Sequence, residues 1–190
     1  RALISVDTMK ATVAARALAE GAHIVNDVSA LTHDPAMPDV VKSSGAGVVL
    51  MHMKGEPRSM QAAPEYADVV AEIVAFFTTR IRTLSEAGLD PLTFAVDPGI
   101  GLFGKTIAHN FQLLAGLGAF EQLGRPVLLG PSRKSFIGEI TGREPARRLA
   151  GTLAAVVCAV ERGARIVRVH DVGETVDALR ILERIQLAAG

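Results

Sequence analysis

Cysteine and aromatic residues are scarce in this 190-residue sequence, which has one cysteine, no tryptophan and one tyrosine. A lone cysteine cannot form an internal disulfide, so a disulfide-stapled secreted fold is excluded and a reducing cytoplasm is the expected location. We expect that cysteine, Cys158, to be buried, because it lies in a helical apolar pattern. Long hydrophobic runs are also missing and no signal peptide is visible, so we expect no membrane partner.

An excess of charge of one sign is missing as well, because 20 Lys and Arg residues balance 20 Asp and Glu residues. A basic face for nucleic acid is therefore not indicated, and we expect no nucleic acid partner. What the chain does contain is aliphatic sequence: 49% of its residues are hydrophobic and only 4% are aromatic. This composition is typical of parallel α/β proteins, and the length fits a single domain over residues 1–190.

Six apolar segments of strand type alternate with helical segments along the chain. The predicted strands are residues 2–6, 23–25, 47–51, 93–96, 127–129 and 165–169. Apolar residues at spacings of three and four predict helices between them, including 9–20 with Val13 inside, 65–87, and a last helix with Val176, Leu182 and Ile185 on one side. Consecutive βα units form either an open doubly wound sheet or a closed (β/α)8 barrel.

Polar side chains follow every predicted strand. They are Asp7, Asn26, His52, Asp97, Ser132, Arg133, Lys134, Arg168 and His170. An open sheet uses a few loops at its switch point, whereas a barrel collects residues from the ends of all its strands. We therefore predict a (β/α)8 TIM-type barrel. Because six units are two fewer than eight, we expect the barrel to be N-terminally truncated, with its first two strands missing.

These strand-end residues fall into two chemical groups. Asp7, Asn26 and Asp97 suit a flat, donor-rich heterocycle, because a carboxylate accepts two parallel N–H groups from an amidine or guanidine edge. The cations that follow the last two strands, Lys134, Arg168 and His170, lie in the sector where many barrels bind phosphate. A heterocycle linked to a phosphate or diphosphate would satisfy both groups.

Simpler interpretations exist for each motif. Asp7 and Asn26 could cap the helices that follow them, and Asp97 begins an ordinary Asp-Pro-Gly turn. His52 could be a packed barrel histidine. Arg168 alternates with valines, so the strand period of two predicts that it points inward and is buried, where it would need an anionic partner. No metal-ligand spacing is apparent in the sequence.

Seven segments together resemble the dihydropteroate synthase family, in that family's order and over essentially the whole chain. They are ISVDT at 4–8, IVNDVSAL at 24–31, VVLMHMKGEPRSMQ at 48–61, DPGIG at 97–101, FGKT at 103–106, GPSRKSFIG at 130–138 and VRVHDV at 167–172. The resemblance implies a transferase of folate biosynthesis. It joins 6-hydroxymethyl-7,8-dihydropterin diphosphate to 4-aminobenzoate and releases 7,8-dihydropteroate and pyrophosphate.

The resemblance also implies the role of each site residue. The pterin would be held by Asp7, Asn26 and Asp97, with Met51 against its ring. Aminobenzoate would be seated by Ser132 and Phe103, and Lys134 would bridge the two sites. The diphosphate would be bound by Arg168 and His170. The catalytic set is Lys134, Asp97, Arg168 and His170.

Further implications concern parts of the family pattern that this chain lacks or changes. The family uses Mg²⁺, whose protein ligand lies in the missing N-terminal segment, so no residue of this chain is predicted to bind metal. The family is usually homodimeric through helices late in the barrel. The loop 97–106 carries one residue more than the family pattern, and the extra residue is either Leu102 or Phe103.

Two other functions fit parts of the pattern. A pterin-binding methyltransferase domain, passing a methyl group from methyltetrahydrofolate to a corrinoid, shares the barrel and the pterin residues but has no diphosphate to hold. A non-catalytic pterin-binding paralogue is the second alternative. The cations of the last two strands favour the synthase.

Overall fold

The computed structural model describes residues 2–55 and 64–189, so residues 56–61 of the segment 48–61 lie outside the described residues. Strands and helices alternate throughout these ranges. The strands are β1 (Ser5–Asp7), β2 (Ile24–Asp27), β3 (Gly47–Met51), β4 (Phe94–Asp97), β5 (Val127–Leu129) and β6 (Ala164–Val167). The helices are α1 (Ala11–Ala19), α2 (Met37–Ser44), α3 (Val69–Glu86), α4 (Ile107–Ala115), α5 (Ser135–Thr141), α6 (Leu149–Glu161) and α7 (Val172–Ala189). Short 3-10 helices lie at Pro91–Thr93, Leu117–Leu123 and Pro145–Arg147.

The six described strands form one sheet in the order β1-β2-β3-β4-β5-β6, and every neighbouring pair is parallel. The predicted βα units are therefore confirmed. The sheet curls, because Asp7 on one edge strand and Arg168, just beyond the other edge strand, are 2.7 Å apart between Oδ2 and Nη1. This curl brings the carboxyl ends of all six strands around a common space.

The two faces of the sheet bury different sets of residues. Alternate residues such as Val48, Leu50, Val96 and Leu129 face the helices and belong to the large core. On the opposite, inner face a small cluster is formed by Val49, Ala95 and Leu128, against which Ile24 packs. The inner-facing positions that follow these residues at the strand ends are Asn26, Met51 and Asp97. Alternation along the strands therefore points all three side chains into the curl.

Two helices begin later than the sequence periodicity predicted. Helix α1 begins at Ala11 instead of residue 9, because its first amide donates to Asp34 Oδ2 (2.8 Å), whereas Thr8 Oγ1 accepts only from Lys10 N (3.0 Å). Helix α3 begins at Val69 instead of residue 65, where the Asp68 carboxylate accepts from two backbone amides. Both starts are set by capping carboxylates that an apolar period does not reveal.

Several predicted core side chains are exposed. Cys158 was expected to be buried, but its side of α6 faces a groove of about 400 Å³ between α4, α5 and α6. Val13 was placed on the inner face of α1, yet Ala11 and Ala14 are the buried positions of that helix. On α7, Leu182 is buried while Val176 and Ile185 are exposed. Within the described residues, no helix is long and apolar enough to cross a lipid bilayer.

Candidate active site

The end of β2 presents a buried amide that is only partly satisfied. Asn26 is 7% exposed, and its Nδ2 donates to Asp7 Oδ1 on the neighbouring strand. Its carbonyl oxygen, Oδ1, is buried, and nothing in the described part of the chain donates to it. A buried acceptor without a donor costs about 1–3 kcal/mol. Asn26 Oδ1 is therefore a position at which an N–H group of a ligand would be stabilised.

A buried carboxylate lies at the end of β4. Asp97 is 4% exposed and pairs in the strand ladder with Met51 at the end of β3. One of its oxygens, Oδ1, accepts from Gly99 N at 2.8 Å. Burial raises the pKa of Asp97, while the charge of Lys134 and the Gly99 amide act in the opposite direction. The carboxylate thus lies in a low-dielectric setting where paired N–H donors would bind strongly.

The ammonium group of Lys134 faces Asp97 across the site. Its Nζ donates to the Ile100 carbonyl and lies 5.0 Å from the centroid of the Phe103 ring. Burial lowers the pKa of Lys134 to about 8, with the Asp97 charge opposing and Arg168 adding to the shift. The side chain of Leu102 is 52% exposed. Phe103 therefore lies against Lys134, whereas Leu102 projects into solvent.

Arg168 and His170 lie beyond β6 and are held by neighbours from two other strands. Ser132 Oγ and His170 Nδ1 are 2.8 Å apart, and His170 N donates to the same hydroxyl at 3.2 Å. Arg168 was expected to be buried, and this was wrong: its side chain is 52% exposed. Strand β6 is the edge of the described sheet and ends at Val167, so the guanidinium lies in the open mouth of the curl, paired with Asp7.

Lys105 is a buried lysine that was not among the predicted site residues, and it is 1% exposed. Its Nζ lies 3.2 Å from each of three atoms: the carbonyl oxygens of His52 and Phe103, and His52 Nδ1. Burial lowers the pKa of Lys105 to about 7, although the Asp97 charge opposes the shift. The ammonium joins the loop after β3 to the glycine-rich loop after β4. Two features of the sequence pointed to Lys105: its place in the glycine-rich loop after β4 and its place in the segment FGKT at 103–106.

His52 is the packed histidine of the simpler interpretation. It is buried, and its ring lies edge-on to Phe76 with centroids 4.9 Å apart. Burial and the charge of Lys105 lower the pKa of His52 to about 3, so the ring is neutral at physiological pH. A neutral ring that packs against an aromatic side chain has a structural role here.

A magnesium site does not fit the residues at hand. Within residues 2–55 and 64–189, no group of three or more His, Cys, Asp or Glu side chains could hold a metal ion. The strand-end carboxylates are instead engaged by protein donors, Asp7 by Asn26 and Arg168, and Asp97 by Gly99.

Comparison with known proteins shows the family to which this chain belongs. A family model described as pterin binding enzyme matches residues 1–170. The chain belongs to this family. A relative in Escherichia coli (strain K12) described as dihydropteroate synthase is 45% identical over 180 residues, which is 95% of this chain and 63% of the relative. The chain therefore spans less than two thirds of that family member's length.

Solved structures of family members have the same fold. The dihydropteroate synthase of Yersinia pestis, solved with a sulfonamide drug complex, superposes with a TM-score of 0.95 at 41% identity, covering 99% of this chain and 68% of that one. The enzyme of Xanthomonas albilineans, solved in complex with 7,8-dihydropteroate, gives 0.90 at 48% identity, covering 97% and 67%. The predicted TIM-type barrel is thus confirmed, and the six-stranded curled sheet matches about two thirds of each of these two chains. The roles of the individual site residues stay predictions.

Proposed function

We propose that the protein is a dihydropteroate synthase, a transferase that condenses 6-hydroxymethyl-7,8-dihydropterin diphosphate with 4-aminobenzoate. The observation that carries the proposal is the pair of buried acceptors, Asn26 Oδ1 and the Asp97 carboxylate, beside a set of cations. The pterin ring has an amidine-like edge of N–H donors that fits such acceptors, and the diphosphate needs cations nearby. The synthase substrate joins both parts in one molecule.

The pterin would lie in the curl, with Met51 against its ring. Its donor edge would bond to Asp97 and to Asn26 Oδ1, and the bond from Asn26 to Asp7 would hold the amide in the orientation that presents its oxygen. Bonds to a carboxylate in a buried site are stronger than the same bonds in water. The acceptors would also stabilise the positive charge that the ring gains when the diphosphate leaves.

The diphosphate would bind to Arg168 and His170. The bond between the pterin methylene carbon and the diphosphate oxygen breaks, and the diphosphate leaves with both electrons. Arg168 and His170 stabilise the charge that develops on the departing oxygen. Arg168 reaches the site from an exposed position, so an incoming diphosphate can compete with Asp7 for its guanidinium.

Aminobenzoate would lie between the glycine-rich loop and the loop after β5. Phe103 would contact its ring, and Lys134, which already lies against Phe103, would bridge it to the pterin. Ser132 would also contact the aminobenzoate and would orient His170 through their hydrogen bond. The aniline nitrogen then attacks the methylene carbon and loses a proton to solvent, which gives 7,8-dihydropteroate.

The test is an assay of pyrophosphate release by the full-length gene product. We expect release that depends on aminobenzoate, together with formation of dihydropteroate, and loss of both in Lys134→Ala. Pterin binding without release, and without competition by pyrophosphate, would instead support a methyltransferase. Pterin binding with pyrophosphate competition but no product would support the binding-only paralogue.

The pKa of Lys134 predicts how the reaction depends on pH. The proposed role needs the ammonium, and burial lowers its pKa to about 8, so the active protonated form predominates below that pH. We expect kcat/KM to fall roughly tenfold for each pH unit above 8, because this parameter follows the titration of the free enzyme. Lys134→Arg would keep its charge throughout and shift the fall to higher pH at a lower maximum rate. A flat wild-type profile from about pH 7 to 9.5 would contradict the assignment.

We extend the proposal to a cytoplasmic homodimer. Its support is the groove between α4, α5 and α6, whose lining includes Phe111, Phe136, Ile140 and Cys158. Phe111 and Ile140 are exposed apolar side chains that a second copy would cover. Sedimentation equilibrium of the full-length protein at micromolar concentration is expected to give twice the mass of one chain. A single-chain mass over that range would overturn the dimer.

A further inference from the structure

The residue between Ser132 and Lys134 points away from them. Arg133 instead reaches Asp171, the residue after His170. Its Nε lies 3.1 Å from Asp171 Oδ2 and its Nη2 lies 2.5 Å from Oδ1, so the guanidinium binds the carboxylate with two parallel bonds. This bond lowers the pKa of Asp171 and keeps the carboxylate charged. The pair joins the loop after β5 to the loop after β6.

The backbone of Arg133 is held in an uncommon conformation. Its φ is 57°, in the left-handed region that residues with a side chain rarely adopt. Arg133 N donates to Thr152 Oγ1 (3.0 Å), and its carbonyl accepts from Arg148 Nη1 (2.9 Å). Thr152 is fully buried, so this hydrogen bond anchors the turn to the packed interior of α6. A side chain at Gly138 would collide with the Arg148 guanidinium, since a Cβ there would lie 2.1 Å from Nη2.

We infer that Arg133 and Asp171 are a positioning pair, a role that rests on the proposed function. The left-handed turn at Arg133 directs its own side chain to Asp171, while Ser132 reaches His170 and Lys134 reaches Ile100. The bidentate bond fixes the loop that carries Lys134 relative to the loop that carries His170. Those loops hold the residues proposed for the aminobenzoate and diphosphate halves of the reaction. Both guanidinium bonds of Arg133 go to Asp171, so the pair would act through the two loops and not by touching a substrate.

A purely structural ion pair would behave differently. The side chains of Arg133 and Asp171 are 36% and 16% exposed, and ion pairs this close to solvent contribute little to stability. Loss of the two parallel bonds between Arg133 and Asp171 should therefore lower the melting temperature by a few degrees at most. A positioning role predicts a larger effect on catalysis and on anion binding than on stability, because small displacements of catalytic groups reduce rates steeply.

The experiment compares Arg133→Lys, Asp171→Asn and the double variant in the full-length gene product. Lysine keeps the positive charge of Arg133 but cannot form two parallel bonds, and asparagine keeps the shape of Asp171 but not its negative charge. The readouts are kcat and KM for each substrate, calorimetric titration with pyrophosphate alone, and the melting temperature. Arg147→Lys, at an exposed arginine in the 3-10 helix Pro145–Arg147, is the matched control.

We expect each single variant to lower kcat/KM about tenfold, which equals about 1.4 kcal/mol, and to weaken pyrophosphate binding about fivefold or more. The double variant should be no worse than either single one, because both remove the same interaction. If Arg133→Lys has wild-type kinetics, or if its loss of activity equals the fraction of protein that is unfolded, the positioning role is wrong and the proposed function is unaffected. If the wild type is inactive but its binding of pyrophosphate still weakens in Arg133→Lys, the proposed function is wrong and the positioning role stands. An inactive wild type that binds no pyrophosphate would overturn both.

Discussion

Asp97→Asn is expected to weaken binding of the pterin diphosphate about 100-fold, or about 2.8 kcal/mol. One carboxylate oxygen accepts from Gly99 N, and the asparagine carbonyl can keep that bond. The NH2 group would then face the N–H edge of the pterin, which places donor against donor in a buried site. The negative charge of Asp97 raises the pKa values of Lys105 and Lys134, which burial lowers. Removing that charge would lower both pKa values further.

The control for this substitution is Asp90→Asn. Asp90 is an exposed carboxylate that caps the 3-10 helix Pro91–Thr93 by accepting from Leu92 N, a bond that asparagine also makes. Titration calorimetry with the pterin diphosphate measures the effect, and titration with pyrophosphate alone separates the two halves of the site. Pterin affinity within threefold of wild type in Asp97→Asn would contradict the assignment of Asp97 to the ring.

Gly99→Ala is expected to destabilise the protein by about 2–5 kcal/mol and to abolish activity. The φ of Gly99 is +72°, and a Cβ there would lie 2.1 Å from the backbone oxygen of His52. That oxygen cannot retreat easily, because His52 N donates to Asp97 O at 2.9 Å and Lys105 Nζ contacts the His52 carbonyl. The turn after β4 must therefore move, and Asp97 moves with it.

Gly45→Ala separates the steric cost from the conformational cost. Gly45 has a similar φ of +65°, but a Cβ at this position would meet nothing within 4 Å. We expect it to cost about 1–2 kcal/mol and to leave kcat/KM unchanged. In thermal denaturation Gly99→Ala should melt well below Gly45→Ala, since about 1 kcal/mol corresponds to roughly 2–4 °C in a chain of this size. Equal melting temperatures would show that the contact with His52 is absent.

The sheet and the strand-end residues could be predicted because they depend on local sequence. An apolar run of three to five residues followed by a polar group identifies the end of a strand, and repeated βα units imply parallel neighbours. Asn26 and Asp97 could be assigned to one edge without any knowledge of distant contacts. The strand period of two also placed Arg168 on the inner face.

The rest depended on contacts between distant segments. Lys105 became part of the site because its ammonium meets the carbonyl oxygen of His52, a residue 53 positions earlier. The start of α1 is set by Asp34, which lies 23 residues later than the amide it caps. Arg168 was wrongly predicted to be buried. The strand period of two shows which face of a strand a residue lies on, but not whether that face is covered. Contacts between distant segments produce no periodic pattern in the sequence, so they could not be predicted from it.

The placement of the pterin between Asp97 and Asn26 can be tested by a crystal structure of the full-length protein with 6-hydroxymethyl-7,8-dihydropterin diphosphate and without aminobenzoate. We expect ring N–H groups within hydrogen-bond distance of the Asp97 carboxylate and Asn26 Oδ1. We also expect diphosphate oxygens against Arg168 and His170, with the methylene carbon towards Lys134. A ring bound outside the curl, with Asn26 Oδ1 still lacking a donor, would contradict the assignment of these two acceptors to the pterin.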